Sequence, residues 1–478
     1  MRLIEKITPI EEDFSKWFVD VVKNGNLIDY GPLKGTLIFK PNSYGIWENI
    51  QKNFNEIIKK INCQNVYLPL LIPQSLIVKE KNHIDGFAPE LATITKVGDK
   101  KLSEDIYIRP TSEVLFAQLF KSEINSYNDL PKIYNQWANV VRWEKTTNPF
   151  LRNSEFLWQE GHTSHSTEEE ALEFSKKIIQ IYKDFYKNYL ALDVIVGRKT
   201  ENEKFPGAKI TWTIEAMMKD GKSLQAATSH YLGQNFSKMF DVSFKNKDNK
   251  FEYVFQTSWG LSTRSIGAII MGHGDNRGIV IPPKVASIQV DLIEIMANKD
   301  QRVSEVSNKI KSFLENNNIR VRVDKTNKSV GFKVSQSEIE GVPIRIEIGP
   351  RDLDNNKVLI VRRDNIEKEY VEIDNVLEKV SFLLEDIHNN LYKQSKERIQ
   401  KNIVYTNLYE EFKTLIEKNK FVLVPILKDD VKLEEKIKEE TFATARCIPW
   451  EINPPKSNDI CILTGKETSH FVIFAKSY

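Results

Sequence analysis

Between Asn139 and His162 the chain runs Asn-Val-Val-Arg-Trp-Glu, crosses a polar bridge containing Asn148-Pro149, and returns as Leu151-Arg-Asn-Ser-Glu-Phe-Leu-Trp-Gln-Glu-Gly-His162. Two alternating apolar runs around a polar, proline-bearing bridge predict an antiparallel hairpin with a long tip. Successive side chains of a strand face opposite sides, so Arg142 and Glu144 share one face while Val141 and Trp143 pack beneath the other. A hairpin centred near Asn148 pairs even positions with even, which brings Arg152, Trp158, Glu160 and His162 to the face of Arg142 and Glu144. Two guanidiniums, two carboxylates and an imidazole on one surface suit a ligand with several charges. The competing reading is a solvated face carrying surface ion pairs, which contribute little. Trp158 and Glu160 inside a strongly apolar strand favour the first.

A chain of 478 residues has room for two or three domains with cores of their own. Lys plus Arg number 68 against 66 acidic residues, a net of +2, so any nucleic-acid binding must rest on local patches rather than a global field. No apolar run approaches the ~20 residues of a membrane span. The segment Met1 to Asp20 is charged throughout and lacks the apolar core of a secretory signal. Cys63, Cys447 and Cys461 are few, odd in number and far apart, which fits a reducing cytoplasm.

In chain order, Phe14 to Lys23 has helical spacing broken by Asn24-Gly25, and Ile46 to Ile61 forms a second amphipathic helix. It feeds a strand, Asn65 to Pro73, whose internal Pro69 marks an edge. Thr111-Ser-Glu113 before an apolar helix is either a cap or a pair of acceptors for a protonated amine. Ser166-Thr167 before a run of Glu starts a helix carried by Leu172 to Leu190. His162 and His165 differ by an odd number of positions and face opposite ways, which excludes joint chelation in a regular strand. Ile210 to Met218 and Ser223 to Leu232 flank Asp220-Gly221, a hairpin signal. Tyr253 to Ser258 is a short strand, and the apolar run to Met271 a helix with Ser262 and Arg264 at its start, where amides and dipole favour anions. A cation there calls for an accompanying anion. Beyond Pro282-Pro283, Ile288–Ile295, Val303–Asn316 and Ile319–Val323 alternate as strand, helix, strand, which implies a parallel pair. A lysine-rich helix from Glu385 to Lys401 links to a last α+β unit.

Arg142-Trp-Glu, Phe150-Leu-Arg152 and Glu155-Phe-Leu-Trp-Gln-Glu-Gly-His162 resemble motif 2 of class II aminoacyl-tRNA synthetases, in the form carried by prolyl-tRNA synthetases of the archaeal and eukaryotic type. The helix and strand around Pro69 resemble motif 1, a dimer interface in that family, and Trp259 to Met271 resembles motif 3. The resemblance covers nearly the whole chain, including its ending, Phe474-Ala-Lys-Ser-Tyr478. It implies an α+β fold: a catalytic core over residues 1–282, an antiparallel sheet flanked by helices, then an α/β anticodon-binding domain over 283–390 and a small α+β domain over 391–478.

The resemblance also implies the chemistry. Proline would be activated with ATP, Mg²⁺ accompanying the phosphates and Gln225 facing the metal, and the prolyl group passed to tRNA(Pro) by a cytoplasmic homodimer. Thr111, Glu113, Trp158, Glu160, His162, His230 and Ser258 would line the proline site. Arg142, the catalytic residue, would bridge both reactants, with Glu144, Arg152, Asn153, Gln225, Thr228, Ser262 and Arg264 on the nucleotide. Asn153 departs from the threonine common in relatives. Gln225 alternates away from Thr228 and His230, so joint use of the three requires a bulge at Ala226-Ala227. Glu338, Arg345 and Arg351 would read anticodon bases, or else form surface salt bridges. Relatives often hold zinc near the C-terminus; two thiolates here cannot complete a tetrahedral site, so no zinc is expected. The segment from His162 to Trp259 leaves no room for a large editing insertion. The alternatives are a class II synthetase for another small amino acid and a non-catalytic RNA-binding relative.

Overall fold

The computed structural model describes residues 6–77 and 91–478. Helix α1 (Phe14–Asn24) begins on Asp13, whose carboxylate accepts the Lys16 amide, and stops at Gly25. Helix α2 (Pro41–Lys59) has its proline in the first turn, where the missing N–H costs nothing. It buries Ile46, Trp47, Ile50, Phe54 and Ile58 along one stripe. The strand expected over Asn65 to Pro73 is broken in two: β1 (Gln64–Asn65) forms an edge of the main sheet, while Leu71–Pro73 joins Thr93–Val97 and Lys100–Ile108 in a small separate sheet. Pro69 lies in the break, since it cannot donate to a ladder.

After helix α3 (Glu113–Glu123) come β2 (Lys132–Val141) and β3 (Glu155–His165), pairing Val141 with Glu155 and Ala138 with Trp158. The hairpin is thus centred on Asn148, with even positions opposite even. Both strands stop short of the tip, so Arg142, Glu144 and Arg152 belong to the connection rather than the ladder. Trp143, expected beneath the sheet, is instead 51% exposed, because past the last ladder pair there is no face for it to pack on.

Helix α4 (Glu168–Leu190) is capped by Thr167, which accepts the Glu170 amide, and has three glutamates in a first turn whose dipole favours them. It lays Ile178, Ile179, Tyr182, Phe185 and Tyr186 on the sheet. Strands β4 (Ile195–Arg198), β5 (Ile210–Met217) and β6 (Ser223–Gly233) follow. Gly221, at φ +81°, takes the left-handed conformation that the β5–β6 turn requires. Ile214 pairs with Ala227 but Glu215 with Gln225, leaving Ala226 as the extra residue of the predicted bulge. Strand β7 (Phe255–Ser262) runs four residues beyond the expected end at Ser258, paired with β3 as far as Ser262 opposite Trp158. Its Trp259 and Leu261 are buried on the sheet, which keeps the segment extended. Helix α5 (Arg264–His273) follows, buried from Ser265 to His273. Between β3 and β7 the chain holds only α4, β4 to β6, the helix Asn235–Phe240 and a short hairpin, with no inserted domain.

The second unit comprises β8 (Val290–Glu294), α6 (Gln301–Asn316), β9 (Val321–Asp324), α7 (Val330–Ile339), β10 (Ile344–Ile348), β11 (Lys357–Arg362) and β12 (Lys368–Glu372). The sheet order is β9-β8-β10-β11-β12, and β8 is parallel to both neighbours, as the strand-helix-strand alternation predicts. Helix α8 (Val376–Asn402) carries the chain onward, and the expected boundary at residue 390 falls inside it. Strands β13 (Ile403–Tyr405), β14 (Phe421–Pro425), β15 (Thr444–Pro449) and β16 (Phe471–Ala475) complete the molecule. They extend the main sheet: β15 pairs with β4 at Ile448–Arg198, giving the order β13-β14-β16-β15-β4-β5-β6-β7-β3-β2-β1. No helix among the described residues is long and apolar enough to cross a membrane.

Candidate active site

The central strands β3, β6 and β7 present one face to a cavity of about 260 Å³. Trp158, Glu160 and His162 come from β3, Gln225, Thr228 and His230 from β6, and Ser258 from β7; Thr111, Glu113 and Arg142 close one side. The bulge at Ala226 is what lets Gln225 join Thr228 and His230.

One end of the cavity is rich in acceptors. The Thr111 hydroxyl donates to the buried Glu113 carboxylate. Ser112, at the start of α3, makes no side-chain cap; its hydroxyl and amide bind Glu160 instead. Glu160 also accepts from Gln136 Nε2 at 2.6 Å and lies 3.3 Å from His162 Nε2, so four donors fix a carboxylate that burial would otherwise penalise. The His162 ring stacks on Phe116 with centroids 4.0 Å apart. His230 lies 3.0 Å from the Thr211 hydroxyl and 3.1 Å from that of Thr228, against Phe205, and burial lowers its pKa to about 4. It is a neutral imidazole at pH 7. The hydroxyl of Ser258 and the indole N–H of Trp158 are buried with no hydrogen-bond partner among the described residues.

The other end is electropositive. Two adjoining hollows, about 60 and 120 Å³, are lined by Arg142, Phe156, Ser262 and Arg264, with Glu144, Arg152 and Asn153 beside the first and Gln225 and Thr228 beside the second. Arg142 borders all three spaces, its Nε donating to the Pro110 carbonyl at 3.0 Å and its guanidinium lying 5.5 Å from the rings of Phe156 and Trp158. Arg264 donates from Nε to Leu151 O at 3.0 Å and from Nη1 to Gln225 O at 3.4 Å. Its pKa is lowered, first by burial and then by the charges of Arg152 and Arg142. Arg152 stands 4.0 Å from Glu144, at the limit of an ion pair. Ser262 Oγ accepts the Arg264 amide, so the serine is a local cap as well as a lining group.

For Mg²⁺, a hard cation that takes oxygen ligands and keeps several on the bound phosphates, Glu144 and Gln225 offer side-chain oxygens. Among the described residues no cluster of three or more His, Cys, Asp or Glu could hold a metal alone. Cys63, Cys447 and Cys461 are free and buried.

The three residues expected at the anticodon divide. Glu338 and Arg345 are buried and paired at 3.0 Å; Arg345 also holds Glu347 at 2.9 Å, and Arg277, just beyond α5, holds Glu338 at 2.8 Å. They are neither on the surface nor uncommitted. Arg351, in the short helix Pro350–Asp354, is exposed.

Ser112, Gln136, Phe156, Phe205 and Thr211 had not been singled out from sequence. Alternation could have found Gln136, directly opposite Glu160, and Thr211, directly opposite His230, once the registers were fixed.

Comparison with known families agrees across the chain. Residues 95–273 match the tRNA synthetase class II core domain (G, H, P, S and T), residues 289–383 the anticodon binding domain, and residues 409–478 the family described as Prolyl-tRNA synthetase, C-terminal. The chain is 60% identical to the proline–tRNA ligase of Mycoplasma mobile over 478 residues, all of both chains. It is 59% identical to that of Mycoplasmopsis synoviae and 58% to that of Mycoplasmopsis pulmonis, again over the full length of each.

Proposed function

The chain belongs to the proline–tRNA ligases among the class II tRNA synthetases, and from that membership we infer how its residues share the reaction. The enzyme activates L-proline with ATP and transfers the prolyl group to the terminal adenosine of tRNA. Proline lies in the larger cavity, its ammonium on the acceptors Thr111 and Glu113, its ring among Trp158, His162 and His230, with Glu160 and Ser258 completing the wall. ATP occupies the electropositive end, against Glu144, Arg152, Asn153, Gln225, Thr228, Ser262 and Arg264.

A proline carboxylate oxygen attacks the α-phosphorus while the bond to the bridging oxygen breaks and pyrophosphate leaves with the electron pair. A carboxylate is already nucleophilic, so this step needs no general base. Arg142 orients the carboxylate and neutralises charge growing on the phosphoryl oxygens. Glu144 and Gln225 would hold the magnesium that accompanies ATP, whose charge would screen the phosphates. In the second step the ribose hydroxyl of the terminal adenosine attacks the prolyl carbonyl, the acyl–phosphate bond breaks, and AMP leaves with the electron pair as the hydroxyl proton passes to its phosphate. His230, neutral at pH 7, adds no cation to repel the ammonium.

The observation that carries this reading is the position of Arg142, bordering both the acceptor-lined cavity and the arginine-rich one. Arg142→Ala should lower proline-dependent ATP–pyrophosphate exchange by about 10²- to 10³-fold, as for loss of one strong transition-state donor. Near-normal exchange in that variant would reject its role.

On the tRNA side, Arg351 is presented to solvent, whereas Glu338 and Arg345 reach a base only by exchanging the partners they hold. Homodimer assembly draws support from the sheet ending on the two-residue β1, near the exposed Tyr67 and Leu71. Three free thiols suit a reducing cytoplasm. The absence of an inserted domain between β3 and β7 supports a chain that does not edit its own product.

A further inference from the structure

The carboxylate of Glu215, on β5, is wholly buried and accepts from four strands or their ends. Its Oε1 takes Lys199 Nζ at 2.9 Å, just past β4, and the Thr213 hydroxyl at 2.8 Å. Its Oε2 takes the Ser223 hydroxyl at 2.8 Å, at the head of β6, and Arg446 Nε and Nη2 at 3.0 and 2.8 Å, from β15. None of these groups lines the cavities above. Five donors on one buried carboxylate is more than sheet stability asks for, since a buried ion cluster generally stabilises no better than apolar side chains of the same size.

What distinguishes this cluster is its register. Glu215 is the residue paired with Gln225, directly beside the extra Ala226. Arg446 is itself an extra residue: β15 pairs Ala445 with Phe474 and Cys447 with Ile473, leaving Arg446 between. Two irregularities, one in the catalytic sheet and one in the C-terminal unit, are therefore joined through one carboxylate. From the opposite side the Tyr186 hydroxyl donates to the carbonyl of Ala226 at 3.1 Å. Close approach is required on the C-terminal side too, where a Cβ on Gly197 would meet the Ile448 carbonyl at 2.5 Å.

We propose that Glu215, held by Arg446 and Lys199, is a positioning residue for the nucleotide half of the site: it fixes the extra residue of β6 and so turns Gln225 toward ATP. The C-terminal unit thus acts on the first chemical step without lending it a residue. The burial of Glu215 raises its pKa, but the charges of Arg446 and then Lys199 outweigh that and hold it near 2, so the carboxylate is ionised throughout the working range. This proposal rests on the reading that Gln225 faces the nucleotide.

The test is exchange kinetics on the full chain with ATP and proline varied separately. Arg446→Met is expected to raise the KM for ATP about tenfold or more, to leave the KM for proline within about twofold, and Arg446→Lys to recover part of the loss. Because a single deletion leaves Glu215 buried beside an altered charge balance, the triple variant Lys199→Met/Glu215→Met/Arg446→Met serves as the second arm: it retains the thermal midpoint and shows the same selective rise for ATP. A folded Arg446→Met or triple variant with the parental KM for ATP, while Gln225→Ala raises it, overturns the proposal alone. An unchanged KM for ATP in Gln225→Ala overturns both the placement of Gln225 and what is built on it.

Discussion

Ser258 shows how a single side chain divides between stability and binding. Its hydroxyl is buried on the wall of the larger cavity with no hydrogen-bond partner among the described residues, and a buried polar group left unmet costs about 1–3 kcal/mol. A ligand that reaches it recovers that cost. Ser258→Ala should therefore hold or raise the thermal midpoint of the free enzyme while increasing the KM for proline several-fold, together worth about 1 kcal/mol. A lowered midpoint, or an unchanged KM, would show that the hydroxyl serves the fold. Thr111 makes the opposite case, because its hydroxyl is already spent on Glu113. Thr111→Val should leave that buried carboxylate short of a donor, costing about 1–3 kcal/mol of stability as well as proline affinity, which thermal unfolding with and without proline would separate.

At the scale of elements, the bulge on β6 makes the sharpest claim, since one extra residue decides which face Gln225 uses. Deleting Ala226 should restore regular pairing, carry Gln225 to the far face and abolish ATP-dependent exchange, while circular dichroism still reports a folded chain. That bulge was legible because the family resemblance placed Gln225, Thr228 and His230 in one site, which strict alternation could not supply. So was the β2–β3 register, fixed by two apolar alternations around one proline. The fate of Trp143 was not, because alternation says which way a side chain points but not where the ladder stops. The true end of β7 escaped for a related reason: Trp259-Gly-Leu-Ser is apolar enough for strand or helix, and only its ladder with β3 decides. Nor could alternation reveal that Glu338 is covered, since Arg277 and Arg363, which hold it, come from distant stretches of chain.

Across the whole molecule, the non-local pairing that joins β15 to β4 makes one sheet out of two regions the sequence separates, and burial inside the assembled fold sets a pH dependence. His165 and His273 are buried and His230 is half-buried on the cavity wall, and loss of solvent is the main cause that lowers their pKa values to about 4, 3 and 4. An unfolded histidine titrates near ~6.5. Above that pH both states are neutral and stability is complete; as pH falls below it the unfolded chain takes up protons that the folded chain refuses, so stability drops until the folded pKa is reached. At pH 5 the gap is worth on the order of 1–2 kcal/mol for each fully buried histidine, an appreciable share of a typical folding free energy of ~5–15 kcal/mol. Carboxylates act in a lower window: Glu215, held near 2, keeps its contribution above the ordinary glutamate range and loses it only as pH falls toward 2. The urea midpoint should accordingly be flat above pH 7, fall steeply between about 6.5 and 4.5, and fall less in His165→Gln, whose site lies off the substrate cavities. A midpoint independent of pH across that interval, or a His165→Gln curve parallel to the parent, would mean that these imidazoles gain protons without opening the fold.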